Sequence, residues 1–371
     1  MNNTIRVLHI LQRMEAGGTQ ALLMNIYRNI DRNRVQFDFL VEYPNEEFYD
    51  KEIKKMGGQI FYSNVRNDKN IFKFQQQLKE LIRKYNYKIV HVHTYSIGYF
   101  VLKTAKKCGV PVRIAHSHSN NMTKNIKMPI KKIMQKLYLI HATDFFACSE
   151  EAGRYLFKNK NFIVLNNAID SQKFIYNSEI EKKVRTELRL EKNFIVGHAG
   201  RFQPEKNHKF LIEVFKRIKK EKENAKLLLI GTGPLKKEII QFIEKKGLDN
   251  DVIILSNRKD MNELFMAMNV FVFPSLYEGL GIVAIESQAS GTPVIISDGV
   301  PDTAMITCIC KKVSLNKSAD EWAKEAINIS DSNKKKRNMQ REIIDSGFDL
   351  DATVSMIQKY YIEKEIEGNR V

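Results

Sequence analysis

The chain has 371 residues with 43% hydrophobic and 28% charged positions, more than one ordinary domain needs and typical of a globular protein. No apolar run approaches the ~20 residues that span a bilayer, and the first residues lack the charged leader and small-residue cleavage site of a secretory signal. The net charge is +17: residues 1–170 hold 27 Lys and Arg against 14 Asp and Glu, the remainder 33 against 29, so a polyanionic partner is expected to face the first half. Cys108, Cys148, Cys308 and Cys310 form no disulfide framework. The single residue between Cys308 and Cys310 suits neither a zinc knuckle nor a redox pair, so free thiols in a reducing cytoplasm are expected.

In chain order, apolar runs at 6–11, 36–41, 88–92, 112–115, 143–147 and 162–165 read as strands. Helical periodicity at 19–29, 71–85, 96–107 and 130–141 lies between them. A polar stretch covers 170–189, and strands resume at 194–199, 226–230, 252–255, 269–273 and 294–297. Helical stretches at 319–329 and 350–362 finish the chain. Alternation of this kind implies right-handed βαβ units, parallel sheets covered on both faces, and ligands at the carboxyl ends of the strands. Three parts are expected: residues 1–170, residues 171–348, and a C-terminal helix at 349–371 folding back on the first part.

The segment 271–296 is the most informative. It reads as an apolar strand, a loop with Glu278-Gly279-Leu280-Gly281, a helix with Glu286, and a second strand. A buried strand that opens through glycines into a helix points free N–H groups at one spot and favours an anion there. Two carboxylates eight residues apart within apolar surroundings then offer acceptors for hydroxyl groups. Gly200-Arg201-Phe202-Gln203-Pro204-Glu205-Lys206-Asn207 follows another strand, and its guanidinium and ammonium beside a helix start suit a diphosphate, or else form a solvated basic loop. Gly231 and Gly233 end a third strand, where a tight turn and close ligand approach are equally good readings. Gly17-Gly18-Thr19-Gln20 after the first strand resembles a phosphate-approach loop without completing GxGxxG.

His91/His93 and His116/His118 sit at the ends of neighbouring strands, each pair sharing one strand face. A metal site is conceivable, but no acidic ligand set accompanies them, and hydrogen bonding to a ligand in a cleft is the preferred reading. Residues 124–141 form a basic amphipathic stretch in which Lys127, Lys131, Lys132 and Lys136 would face an anionic leaflet, or simply solvent on a core-packed helix.

In this order the motifs resemble the retaining glycosyltransferases of family 4, over nearly the whole chain. Gly17-Gly18-Thr19-Gln20, Asn167-Ala168-Ile169-Asp170, Gly200-Arg201 with Glu205-Lys206-Asn207, Gly231 to Pro234 and the Glu278…Glu286 segment carry the resemblance. The end of the strand at Ile114-Ala115-His116-Ser117-His118 looks like the capsule and exopolysaccharide branch. One departure is Asn166-Asn167-Ala168, where Pro-Asn-Gly is commoner. The resemblance implies the GT-B fold, two Rossmann-like doubly wound parallel-sheet domains facing a cleft. It implies transfer from a nucleotide-sugar donor, usually UDP-linked, without a metal cofactor.

By the same resemblance, Arg201 and Lys206 would hold the diphosphate. Glu278 with the N–H groups of Gly279, Leu280 and Gly281 would hold the sugar, and Glu286 the ribose. His118, or else His116, would approach the donor sugar, and Gly18, Gly200 and Gly231 would line its binding site. A glycan or lipid-linked acceptor at the cytoplasmic face of the cell membrane would complete the reaction. A nucleotide-sugar epimerase of the same architecture and a non-catalytic basic membrane- or nucleic-acid-binding protein are the alternatives. Against nucleic acid, the basic residues lack interleaved exposed aromatics.

Overall fold

The computed structural model describes residues 4–15, 17–95, 97–118, 137–256 and 258–368. Among them the chain divides into two units, Met1–Ile169 with Leu350–Val371, and Asp170–Asp349.

The first unit is built on β1 (Ile5–Leu11), β2 (Val35–Val41), β3 (Ile60–Tyr62), β4 (Ile89–Val92), β5 (Val112–Ser117), β6 (Asp144–Ala147) and β7 (Ile163–Val164). They form one parallel sheet in the order β3-β2-β1-β4-β5-β6-β7. Both faces are covered, so a central strand must be apolar on both sides. In β1, Ile5, Val7 and Leu11 enter one core, while Leu8 and Ile10 enter the other. The helix Ile71–Tyr85 shows how the flanking elements are specified. Phe74, Leu78 and Ile82 recur at helical spacing and are buried, Asn70 caps the start by accepting from the Lys73 N–H, and Asn86 ends it in the left-handed conformation. The C-terminal helix Leu350–Gly368 belongs to this unit: Leu350, Val354, Ile357 and Tyr361 share a core with β1, β2 and the helix Gly18–Asn29.

The second unit holds β8 (Phe194–Ala199), β9 (Ala225–Ile230), β10 (Val252–Leu255), β11 (Val270–Phe273), β12 (Val294–Ser297) and β13 (Cys310–Val313), all parallel, in the order β10-β9-β8-β11-β12-β13. Its core joins β8, β9 and β11 to the helices His208–Glu221 and Ala319–Ser332. The latter starts with a reciprocal Ser318/Glu321 capping box, and the buried Trp322 donates its indole N–H to the Ser314 carbonyl at 3.0 Å.

Two strands escape the sequence pattern. β3 has only three residues, half-buried at a sheet edge and too few to stand out as an apolar run, and β13 carries Lys311 and Lys312 at the other sheet's edge. Within the polar stretch 170–189 the chain forms the helix Ser178–Glu187, in which only Val184 is buried. Lys127, Lys131, Lys132 and Lys136 lie outside the described residues.

Candidate functional site

In both sheets the strand order runs outward in two directions from a central pair, β1/β4 in the first unit and β8/β11 in the second. Chain leaving the carboxyl ends of such a pair diverges to opposite sides and opens a crevice, where ligands of open α/β sheets bind.

At the β8/β11 switch point the two loops meet directly. The loop after β8 forms a short 3-10 turn at Pro204–Lys206, then Asn207 in the left-handed conformation opens the helix His208–Glu221. The loop after β11 is tied to it by the Leu276 N–H donating to the Glu205 carbonyl at 2.7 Å, and to the loop after β12 by the Glu278 N–H donating to the Gly299 carbonyl at 3.0 Å. These ties bring Lys206 Nζ to 2.5 Å from Glu278 Oε1, with the ammonium also 5.0 Å from the centre of the Phe273 ring. The pair is largely shielded, its side chains 20% and 12% exposed. Arg201 in the same loop is exposed and makes no ion pair among the described residues.

The chain then turns through Gly281, whose φ of +81° is left-handed, into the helix Ile282–Ala289. The N–H groups of Gly279, Leu280 and Gly281 have no hydrogen-bond partner among the described residues. Unpaired N–H groups at a helix start, with the Lys206 ammonium at the adjacent Glu278, are an arrangement that can receive an anion. Glu286, in the second turn of that helix, keeps some exposure, yet burial around its carboxyl raises it to about 7. Glu278 instead has a cation as partner.

Gly231 and Gly233 have a packing explanation. A Cβ on Gly231 would lie 2.1 Å from the Gly200 carbonyl oxygen, and one on Gly233 would lie 2.6 Å from the Phe202 backbone. The two loops are laced together by the Phe202 N–H donating to the Thr232 carbonyl at 2.8 Å and the Leu235 N–H donating to the Phe202 carbonyl at 3.0 Å. At Gly200 the nearest obstacle to a Cβ is the Lys206 side chain at 3.2 Å. Gly18 and Gly279 differ: among the described residues nothing lies within 4 Å of a Cβ built on either, so packing against those residues does not demand glycine there.

In the first unit Gly18 is the first residue of the helix Gly18–Asn29, whose opening turn holds no acidic side chain. The histidines are deeper than their places at strand ends suggest. His91, His93 and His116 are 1%, 8% and 0% exposed, and His118 is half-buried. Sequence reading missed a fifth member, His9 on β1, which is fully buried and pairs in register with His91. A histidine inside the mostly apolar run Val7–Leu11 was the available signal.

The five rings bond to one another. His9 Nδ1 lies 3.0 Å from His93 Nε2, and His93 Nδ1 lies 2.8 Å from His118 Nε2. A second file runs from the Tyr361 hydroxyl to His91 Nδ1 at 2.8 Å and from His91 Nε2 to His116 Nδ1 at 3.0 Å. The files stack, with His91 over His93 at 4.4 Å and His116 over His118 at 4.0 Å between ring centres. Burial pushes all five imidazoles below their usual range, His9 and His118 to about 3, so they are neutral at physiological pH. Two overlapping triads, His9/His91/His93 and His93/His116/His118, place ligand atoms within 4.8 Å, a spacing a metal ion can use. Hydrogen bonds already occupy most of those nitrogens, and among the described residues no carboxylate stands beside them to offset a divalent charge.

Comparison with known proteins shows the family and the fold. Residues 179–345 match the family described as Glycosyl transferases group 1, and residues 16–173 match Glycosyltransferase Family 4. The putative glycosyltransferase EpsF of Bacillus subtilis (strain 168) is 33% identical, over 98% of this chain and 98% of its own length. The UDP-Gal:alpha-D-GlcNAc-diphosphoundecaprenol alpha-1,3-galactosyltransferase of Escherichia coli is 24% identical, over 98% of each chain. Among solved structures, Anabaena Alr3699/HepE in complex with UDP superposes with a TM-score of 0.80 at 18% identity, covering 97% of this chain and 100% of that one. The fold is therefore that of the GT-B glycosyltransferases. The chain belongs to the family 4 glycosyltransferases.

Proposed function

We propose that this glycosyltransferase takes a sugar from a UDP-linked donor, holds that donor on its second unit, and passes the sugar with retained anomeric configuration to a glycan or lipid-linked acceptor in polysaccharide synthesis. The observation that carries the donor assignment is the shielded Lys206–Glu278 pair next to three backbone N–H groups without a partner among the described residues, with Arg201 exposed in the loop that holds Lys206. The UDP in the HepE complex and the diphosphoundecaprenol-linked acceptor of the E. coli enzyme support the two substrate classes.

Breaking the bond from the anomeric carbon to the diphosphate leaves negative charge on the departing phosphate. Arg201, Lys206 and the N–H groups of Gly279, Leu280 and Gly281 stabilise that charge. Fixed donors at a developing oxyanion contribute about 10²–10³-fold each to such a step. Glu278, its position fixed by Lys206, accepts from the sugar hydroxyls, and Glu286 accepts from the ribose. His118 serves the donor sugar, and Gly18 leaves room for substrate. The acceptor oxygen bonds to the anomeric carbon on the face the diphosphate leaves, its proton passing to the departing phosphate, without a covalent enzyme intermediate.

No described helix is long and apolar enough to cross a membrane. The excess of Lys and Arg in residues 1–170 supports docking on an anionic leaflet, where a lipid-linked acceptor resides. Incubating the purified protein with a panel of UDP-sugars, with and without chelator, and measuring released UDP tests the activity. Turnover that survives chelation supports the reading, and no turnover with any donor, with or without membrane extract as acceptor, refutes it. Flotation with vesicles containing an anionic lipid, but not with neutral vesicles, is the result expected for the membrane.

A further inference from the structure

We propose that His9 and His93 are positioning residues that hold His118 as its Nδ1–H tautomer, so that the nitrogen it offers a ligand is a neutral N–H donor. The use of that donor in catalysis rests on the reading of His118 above; the tautomer itself does not.

The file His9–His93–His118 has two nitrogen–nitrogen contacts, and each needs one proton. Burial keeps every ring neutral, so each carries a single N–H. Only two arrangements then satisfy both contacts. In one, all three rings are protonated at Nδ1, and protons point from His9 through His93 to His118. In the other, all three are protonated at Nε2 and the direction reverses. Any mixture leaves one contact with two protons or with none.

The ends of the file choose between them. His9 Nε2 is buried with no partner among the described residues, with the rings of Phe37 and Phe39 at 4.3 and 5.5 Å from its own. The Nε2–H arrangement would strand an N–H there. The Nδ1–H arrangement strands only a lone pair, and orphaned buried N–H groups are the rarer defect. It also delivers the free N–H to His118 Nδ1, at the one ring of the five that is half-buried. His118 Nε2 is already taken by His93 and Nδ1 has no partner among the described residues, so Nδ1 is the nitrogen left for a ligand. The second file offers nothing comparable, since it begins at the buried Tyr361 and ends at His116 Nε2, buried and without a partner among the described residues. A neutral N–H aimed at a ligand suits a sugar hydroxyl or phosphate oxygen, and it needs no change of protonation with pH.

The test is a correlation spectrum of the imidazole nitrogens in the full chain labelled with ¹⁵N-histidine, without substrate, assigned by single substitutions. Protonated Nδ1 and bare Nε2 are expected for His9, His93 and His118 at neutral pH. In His93→Leu, His118 loses its partner and becomes a mixture of tautomers, and kcat for UDP release falls about tenfold with little change in KM. His9→Phe gives a second reading if His93→Leu does not fold: the Nδ1–H preference of His118 weakens. A protonated Nε2 on His118 in the unmodified protein overturns the proposal. So does a His118 tautomer unmoved by either substitution, or a stoichiometric metal bound by these nitrogens. Because the spectrum requires no turnover, a protein that shows the Nδ1–H signature yet transfers no sugar would count against the glycosyl-transfer reading alone.

Discussion

Two polar clusters sit at the switch points of two similar sheets, and they solve opposite problems. At the β8/β11 end Lys206 and Glu278 form an ion pair and remain partly exposed, next to backbone donors that have no partner among the described residues. At the β1/β4 end the histidines are nearly all buried and neutral, and they spend their hydrogen-bonding capacity on one another. A charge stays affordable only near water or beside its counter-charge, whereas a neutral imidazole can be buried once it is bonded. The first cluster can therefore accommodate an arriving anion, as proposed above. The second holds its members still.

Substitutions at the charged cluster should have the largest effects. Lys206→Ala is expected to lower kcat about 10²–10³-fold, the magnitude for removing one fixed donor to a developing oxyanion, and Glu278→Ala, which removes the acceptor for the sugar hydroxyls and the partner of Lys206, should lower kcat as well. The reciprocal swap, Lys206→Glu with Glu278→Lys, restores the ion pair and hence the melting temperature, but not transfer. Calorimetry and UDP release on the same preparations separate pairing from function, and recovery of activity in the swap would show that the pair is only structural.

The glycines sharpen the distinction between fold and site. Gly233→Ala drives a methyl group into the Phe202 backbone from an unfavourable φ of +156°, and should cost about 2 kcal/mol in urea unfolding of the second unit. Gly18→Ala meets nothing within 4 Å and should leave unfolding unchanged while weakening turnover. Equal stability loss in both variants would remove the contrast.

Glu286 supplies a pH signature. Its folded-state value of about 7 lies above the usual 4.5, so between those values the folded protein binds more protons than the unfolded chain. Stability from this group is present below pH 4.5 and falls as pH rises toward and through 7. Glu286→Gln should flatten that fall in melting temperature between pH 5 and 8, and an unchanged slope would contradict the assignment. The smallest effect is expected at the other cluster, where Tyr361→Phe removes the hydroxyl that bonds His91 and should cost about 1 kcal/mol, read by chemical unfolding.

Much of the fold was legible because central strands of a parallel sheet are buried on both faces, as β1, β2 and β8 are nearly throughout, and so carry mostly apolar residues. β3 and β13 were not, since an edge strand may be short or carry lysines. The loop residues Arg201, Lys206, Glu278 and Glu286 stood out by type and by position after strands. The direct contact of Lys206 with Glu278 did not, because 72 residues separate them and only the strand order brings their loops together. The paired histidines were visible, but His9 was hidden in a strand read for its apolar residues. Mutual bonding among five rings follows from the adjacency of β1, β4 and β5, which no local pattern encodes. Gly231 and Gly233 looked equally suited to a turn or a ligand, and the close approach of the Gly200–Phe202 backbone explains them by packing.

The most direct test of the central claim, a UDP-sugar donor bound through Lys206 and Glu278, is the melting temperature of the full chain against a panel of nucleotide sugars. A donor at a hundredfold excess over its Kd stabilises the state that binds it by about 2.7 kcal/mol. At least one UDP-sugar should raise the transition of the unmodified protein by several degrees (about 2–4 °C per kcal/mol for a domain of this size), and Lys206→Ala should abolish the rise. No shift with any nucleotide sugar, or an equal shift in Lys206→Ala, would contradict the account.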